Sequence, residues 1–263
     1  MKVSTKINLA WITAKTTLWW HYYHKCKLDY NKLSELESQA VKSLYKNGYF
    51  VLEDYWPKTM CEKYVKLLKQ IHHLAPVDYD SGAYLRNNKS QKDVADQGVS
   101  RLYHADREFQ GLKSFRNDPI IKRIFALYYG HPMYSSFTAF QVNLPTCQTR
   151  GFHLDGYTSE CKAFIYLQDV GIDNGPFCYI NGSNKTHYLR YRKLIKGEDT
   201  GIKEKDIENI QSRRKMLTAK AGALILVDVC GIHRGMPQYG DERMVLYNNF
   251  IPRNHETFPR KDN

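Results

Sequence analysis

The sequence predicts a mainly β fold with flanking helices, its sheet curled into a jelly roll, and three observations lead there. Strand-like runs rich in β-branched and aromatic residues occupy 136–144, 162–168, 222–229 and 243–251. Helical spacing with start and stop signals lies in the first half of the chain. Two short fragments rich in metal-ligating side chains adjoin strands that are far apart in sequence. Their ligands converge when a sheet curls on itself.

The elements follow in order. In residues 1–32, Ile7, Trp11, Ala14 and Leu18 recur at helical spacing, ahead of Trp19-Trp20-His21-Tyr22-Tyr23. Lys15 interrupts the apolar run and makes it a poor membrane span. No small-residue cleavage site follows, which argues against a signal peptide. This basic aromatic helix is expected to pack on its own domain, with peripheral membrane contact as the other use of such a face. Ser34-Glu35-Leu36-Glu37 has the form of a capping box and opens a helix with Leu36, Ala40, Val41 and Leu44 on one face, closing near Asn47-Gly48. A strand at 48–52 and a second helix at 58–73 come next, both helices buttressing one outer face of the sheet. His72 and His73 end that second helix, where a favourable interaction with the helix dipole accounts for them. Residues 76–100 are polar, contain glycine and show little periodicity, so they read as a long loop of the kind that often forms a lid. Asp118-Pro119 opens a third helix through Ile120, Ile121, Ile124 and Leu127. Residues 186–220, rich in Lys, Arg and Tyr, form an insertion between barrel strands, expected near the active-site mouth. No repeat or linker calls for a second domain, so 1–263 is expected to be one domain.

The candidate chemistry sits in two fragments. One is Gly151-Phe152-His153-Leu154-Asp155-Gly156; the other is Cys230-Gly231-Ile232-His233-Arg234-Gly235. Residues two apart in an extended chain share a face, so His153 and Asp155 can reach one ion while Leu154 points away. His233 lies 78 residues beyond Asp155, directly after the apolar run at 222–229. An H-x-D triplet alone arises often by chance. The second histidine after a strand, and Arg243 opening the next strand, make the set specific. Two histidines and one carboxylate on one face of a metal leave open positions, the arrangement of non-heme Fe(II) oxygenases. Arg243 supplies a fixed partner for the far carboxylate of an oxoacid co-substrate.

In this order the fragments resemble the phytanoyl-CoA dioxygenase family: HLDG, a strand, Asp173-Asn174-Gly175-Pro176, the turn 180–185, a strand ending in histidine, then arginine. The resemblance spans roughly 44–252 and is strongest in the two fragments and the turn between them. The turn departs from the family pattern, with Ile180-Asn181 in place of its proline and Asn184 in place of its histidine. The resemblance implies a double-stranded β-helix (cupin-like) core, Fe(II), and 2-oxoglutarate and O2 as co-substrates. Carried onto this chain, it implies His153, Asp155 and His233 as iron ligands and Arg243 as the grip on 2-oxoglutarate. Gln141 and Asn143, on the strand entering the first ligand loop, match positions of polar co-substrate or substrate contacts. The reaction implied is hydroxylation of a small molecule with release of succinate and CO2. Desaturation or cyclisation at the same site is the alternative. Related halogenases lack the carboxylate that Asp155 supplies here.

Composition bounds the rest. Hydrophobic residues make up 42% of the chain and aromatics 13%, enough for a packed core rather than disorder. The six cysteines, at 26, 61, 147, 161, 178 and 230, form no C-x-x-C pair, which fits a reduced cytoplasmic setting. The formal charge of +12 is concentrated in two places: residues 1–32 have net +5, and 185–220 have net +6. A basic lip of this kind, with Arg190, Arg192, Lys193, Arg213 and Arg214, would suit an anionic substrate; a solvated surface accounts for the same composition. No nucleic-acid-binding motif accompanies the charge, so a nucleic-acid role would rest on charge alone. The remaining alternative is a barrel of this kind that binds without catalysing.

Overall fold

The computed structural model describes residues 33–71, 77–88, 98–145, 149–157, 159–185, 193 and 196–252. The expectations for residues 1–32, for His72 and His73 and for Arg190 and Arg192 lie outside them.

Helix α1 (Glu35–Asn47) begins at the expected capping box. Ser34 Oγ accepts from the Glu37 amide, and the Glu37 carboxylate accepts from the Ser34 amide. It ends at Gly48, whose φ of 94° is left-handed, and its amide donates to the Leu44 carbonyl. Strand β1 (Tyr49–Leu52) and helix α2 (Lys58–Ile71) follow. The described residues of 76–100 are not the open loop that the sequence suggests. They contain β2 (Val77–Asp78), β3 (Tyr84–Asn88) and the start of β4 (Val99–Tyr103). β2 and β3 meet through a turn in which Gly82 has φ of 78°, and β3 pairs with β4 in turn. Such short strands are held by their neighbours and show little period of their own. Two single-turn helices, α3 (Ala105–Glu108) and α4 (Lys113–Arg116), lead to α5 (Pro119–Tyr129). α5 starts where Asp118 accepts from the amides of Ile120 and Ile121.

The remaining strands are β5 (Tyr134–Asn143), β6 (Cys161–Tyr166), β7 (Phe177–Ile180), β8 (Arg214–Leu217), β9 (Leu224–Asp228), β10 (His233–Gly235) and β11 (Arg243–Ile251). All pairings among the described strands are antiparallel. They form an eight-stranded sheet, ordered β1-β9-β6-β11-β5-β4-β3-β2, and a three-stranded sheet, ordered β10-β7-β8. This is the mainly β jelly roll with flanking helices that the sequence predicts.

Alternation along the strands sorts the large sheet into two faces. Leu102, Phe140, Val142, Ala163, Ile165, Leu224, Leu226, Met244, Leu246 and Phe250 pack against Ala40, Leu44, Tyr64, Leu68, Ile121 and Phe125 of the helices. The helices therefore cover this outer face, as expected. Ala139, Phe164, Tyr166, Ile225, Val227, Val245 and Tyr247 turn inward against Tyr179 and Leu217 of the small sheet. The polar side chains that share this inward parity build the site.

Candidate metal centre

His153, Asp155 and His233 come together as expected, and their ligand atoms lie within 4.8 Å of one another. Asp155 Oδ1 is 3.4 Å from His153 Nε2 and 3.6 Å from His233 Nε2. The two imidazoles sit with ring centroids 4.5 Å apart. The H-x-D segment does not lie in a ladder strand, which differs from the expectation. It is extended chain held by single bridges: His153 exchanges both backbone hydrogen bonds with His233, at 3.0 and 3.1 Å. The Asp155 amide donates to the Val229 carbonyl, and the Leu154 amide to that of Thr200. Alternation survives in this extended chain. Leu154 is fully buried among Phe152, Ile180 and Ile232, while its neighbours face the cavity.

Both histidines are oriented from behind. His153 Nδ1 lies 2.8 Å from the Gly151 carbonyl, and His233 Nδ1 lies 2.9 Å from the Gly231 carbonyl. A carbonyl can only accept, so each Nδ1 carries a proton and each Nε2 is the nitrogen turned toward Asp155 and the cavity. Phe177 stacks on His233 at 5.1 Å with 20° between planes. Burial and the neighbouring His233 push the His153 pKa down, which keeps that ring neutral at pH 7. Burial pushes the Asp155 carboxyl up, but the Lys162 ammonium and the two imidazoles outweigh it and hold it well below the usual carboxylate range. Asp155 thus offers an ionised oxygen beside the Nε2 atoms of the two rings, a donor set that suits a divalent cation.

The triad opens into a cavity of about 340 Å³. Arg243, the first residue of β11, lies opposite Asn143 of β5. Its Nη2 donates to Asn143 Oδ1 at 3.2 Å. Gln141 Nε2 donates to the same oxygen at 2.7 Å, and Arg101 Nε donates to Gln141 Oε1 at 2.9 Å. Gln141 and Asn143 therefore line the cavity and join two guanidiniums. Sequence reasoning missed Arg101, Arg150 and Lys162, which also line it. Arg101 falls where the sequence shows little period. Lys162 shares strand parity with Phe164 and Tyr166, the one signal that it faces inward.

The insertion meets the site through residues 199–202. Gly201 bridges to His153, and Arg150 donates to Thr200 Oγ1 at 2.8 Å. Of the five basic residues considered for a basic lip, Lys193, Arg213 and Arg214 are described, and each makes local contacts. Lys193 bonds the Asp199 carbonyl and pairs with Glu198, Arg213 bonds the Asn181 carbonyl, and Arg214 pairs with Glu204. None of the three lines the cavity. The divergent turn is a structural support. Ser183 Oγ accepts from the Ile232 amide at 2.7 Å, one residue before His233, and buried Asn184 donates to the Leu44 carbonyl and to Tyr128 Oη. Cys61, Cys161, Cys178 and Cys230 are buried free thiols. No helix among the described residues is long and apolar enough to cross a membrane.

The profile of the phytanoyl-CoA dioxygenase (PhyH) family matches residues 44–244. No curated protein sequence matches the chain. Solved structures share the fold at low identity. The non-heme alpha-ketoglutarate-dependent carbocyclase SnoK from nogalamycin biosynthesis is 18% identical with a TM-score of 0.59, covering 84% of each chain. HygX from Streptomyces hygroscopicus, with nickel, 2-oxoglutarate and hygromycin B bound, is 14% identical with a TM-score of 0.56, over 84% of this chain and 88% of its own. EctD from S. alaskensis, in its apoform, is 15% identical with a TM-score of 0.61, over 83% of this chain and 76% of its own.

Proposed function

Because the chain belongs to the phytanoyl-CoA dioxygenase family of Fe(II)- and 2-oxoglutarate-dependent oxygenases, we propose that it hydroxylates an anionic small molecule, releasing succinate and CO2. The observation that carries this reading is the convergence of His153 Nε2, Asp155 Oδ1 and His233 Nε2 at one end of a cavity that also holds Arg243. In this reading those three atoms hold Fe(II), which with 2-oxoglutarate and O2 supplies the oxidising chemistry. Arg243 grips the far carboxylate of 2-oxoglutarate through a charge-assisted pair. Gln141 and Asn143 fix the guanidinium in that direction and offer the co-substrate polar contacts. Phe164, Phe177 and Tyr247 line the same cavity and would limit water around the reacting groups.

The substrate's charge follows from the lining. Among the described residues, four cationic side chains, Arg101, Arg150, Lys162 and Arg243, line the cavity with one carboxylate, Asp155; Lys162 pairs with Asp155 and Arg150 with Asp199. Fe(II) and a 2-oxoglutarate dianion would cancel each other, and an acidic substrate would suit the cationic lining that remains. These charges lie in a cavity of small-molecule size rather than on an open groove, which favours a metabolite over nucleic acid. The reading treats 1–263 as a single oxygenase domain. Desaturation or ring closure would use the same hydrogen abstraction, and product analysis separates these outcomes.

The test is anaerobic Fe(II) titration followed by succinate release from 2-oxoglutarate across a panel of carboxylated and phosphorylated small molecules. One Fe(II) per chain is expected, with binding lost or strongly weakened in His153→Ala and His233→Ala. Undiminished binding in either variant would remove the triad from the site.

A further inference from the structure

We propose that Lys162 is a positioning residue of the metal centre, its ammonium holding the Asp155 carboxylate so that a single oxygen faces the two imidazoles. The inference rests on the metal-site reading above and concerns how the carboxylate is held.

Lys162 Nζ lies 2.5 Å from Asp155 Oδ2, while Oδ1 of the same carboxylate is the atom 3.4 and 3.6 Å from the histidine Nε2 atoms. The two oxygens are therefore divided between two tasks. A carboxylate with both oxygens free can swing about its terminal torsion or turn both oxygens toward a cation. One with Oδ2 tied to an ammonium offers Oδ1 alone. The lysine is itself held. It stands on the inward face of β6, opposite Asn249 of β11, with Nζ 5.5 Å from the Tyr247 ring centroid. Its side chain is 25% exposed and that of Asp155 17%, so the pair is sheltered from the solvent competition that makes surface ion pairs weak. The two residues also come from separate supports. Lys162 belongs to the sheet, and Asp155 to extended chain hydrogen-bonded to Val229. The contact thus ties the ligand-bearing segment to the rigid β6 ladder. Outer partners of this kind fix ligand orientation in metal sites generally.

Chemical rescue tests the assignment. In Asp155→Ala the ammonium would remain and should seat a free formate in the vacated position. Co(II) affinity is measured by titration, with and without sodium formate, in wild type, Asp155→Ala, Asp155→Ala/Lys162→Met and Asp155→Ala/Lys162→Arg. Thermal unfolding of each apo-protein checks that it is folded, and Lys162→Gln replaces Lys162→Met if the latter does not fold. Formate is expected to restore at least about tenfold in affinity to Asp155→Ala, the lower range for an outer-shell partner. It should restore nothing in the Met double variant and should act again in the Arg double variant. Equal rescue without the cation, or no rescue with Lys162 in place, would overturn the proposal. A wild-type protein that binds no Co(II) would instead remove the metal-site reading itself.

Discussion

Gly231 shows how closely the site depends on single residues. Its carbonyl orients His233, and a Cβ at this position would run into the hydroxyl of Tyr179, which is anchored to the Asp228 carbonyl at 2.8 Å. Gly48 packs closely on the same hydroxyl, where a Cβ would also collide with it. Gly231→Ala is therefore expected to cost about 1–3 kcal/mol of stability, as overpacking does. It should also weaken Co(II) binding, because the displaced carbonyl is the one that sets the imidazole. Thermal unfolding and metal titration of the same variant check both halves. At Arg243 the loss should fall on the co-substrate. A hydrogen bond to a charged group is worth about 1.5–3 kcal/mol, and about 1.4 kcal/mol is a factor of ten. Arg243→Ala should raise the KM for 2-oxoglutarate about ten- to a hundredfold and that of the prime substrate far less. An unchanged 2-oxoglutarate dependence would move the co-substrate elsewhere in the cavity.

Among elements, the helices were legible and the first hairpin was not. α1 and α5 announce themselves through side chains that satisfy their own first amides, a contact within three residues of chain. Asp118 does more than cap, since its other oxygen accepts from Tyr55 Oη at 2.5 Å. Asp118→Ala should therefore cost about 1–3 kcal/mol, a cap loss of about 0.5–2 plus a half-buried phenol left without its acceptor. α5 packs on the outer face, away from the cavity, so metal affinity should stay at the wild-type value. Urea denaturation alongside Co(II) titration distinguishes this from a general loosening of the molecule. β2 and β3 carry no comparable local signal. They are strands because β4 offers a paired edge, and β4 is one because β5 does.

Across the whole molecule, the triad ties distant parts of the chain together. His153 and Asp155 lead into β6 of the large sheet, whereas His233 opens β10 of the small one. A metal that binds the folded chain and not the unfolded one adds about 2.7 kcal/mol at a hundred times its Kd. For a chain of this size about 1 kcal/mol corresponds to roughly 2–4 °C. Saturating Co(II) or Ni(II) should therefore raise Tm by about 5–10 °C, and a chelator should reverse it. His233→Ala should show no such rise, which separates the site from weak surface binding.

Taken alone, the sequence determined the chemistry available: two imidazoles, a carboxylate and a guanidinium, the strands that adjoin them, and the alternation that turns His153 and Asp155 to one side. These are properties of neighbours in the chain, set by backbone geometry and side-chain type. Only the tertiary structure decided which side chains share the cavity. Arg243 faces Asn143, and Arg101 faces Gln141, because of strand register. Lys162 reaches Asp155 because β6 lies beside the extended ligand segment. The basic residues Lys193, Arg213 and Arg214 make local contacts away from the cavity, while Arg101 and Arg150 line it. Register and sheet order arise from contacts across the whole chain, and a one-residue slip would turn strand side chains such as Arg101, Gln141, Lys162 and Arg243 to the opposite face.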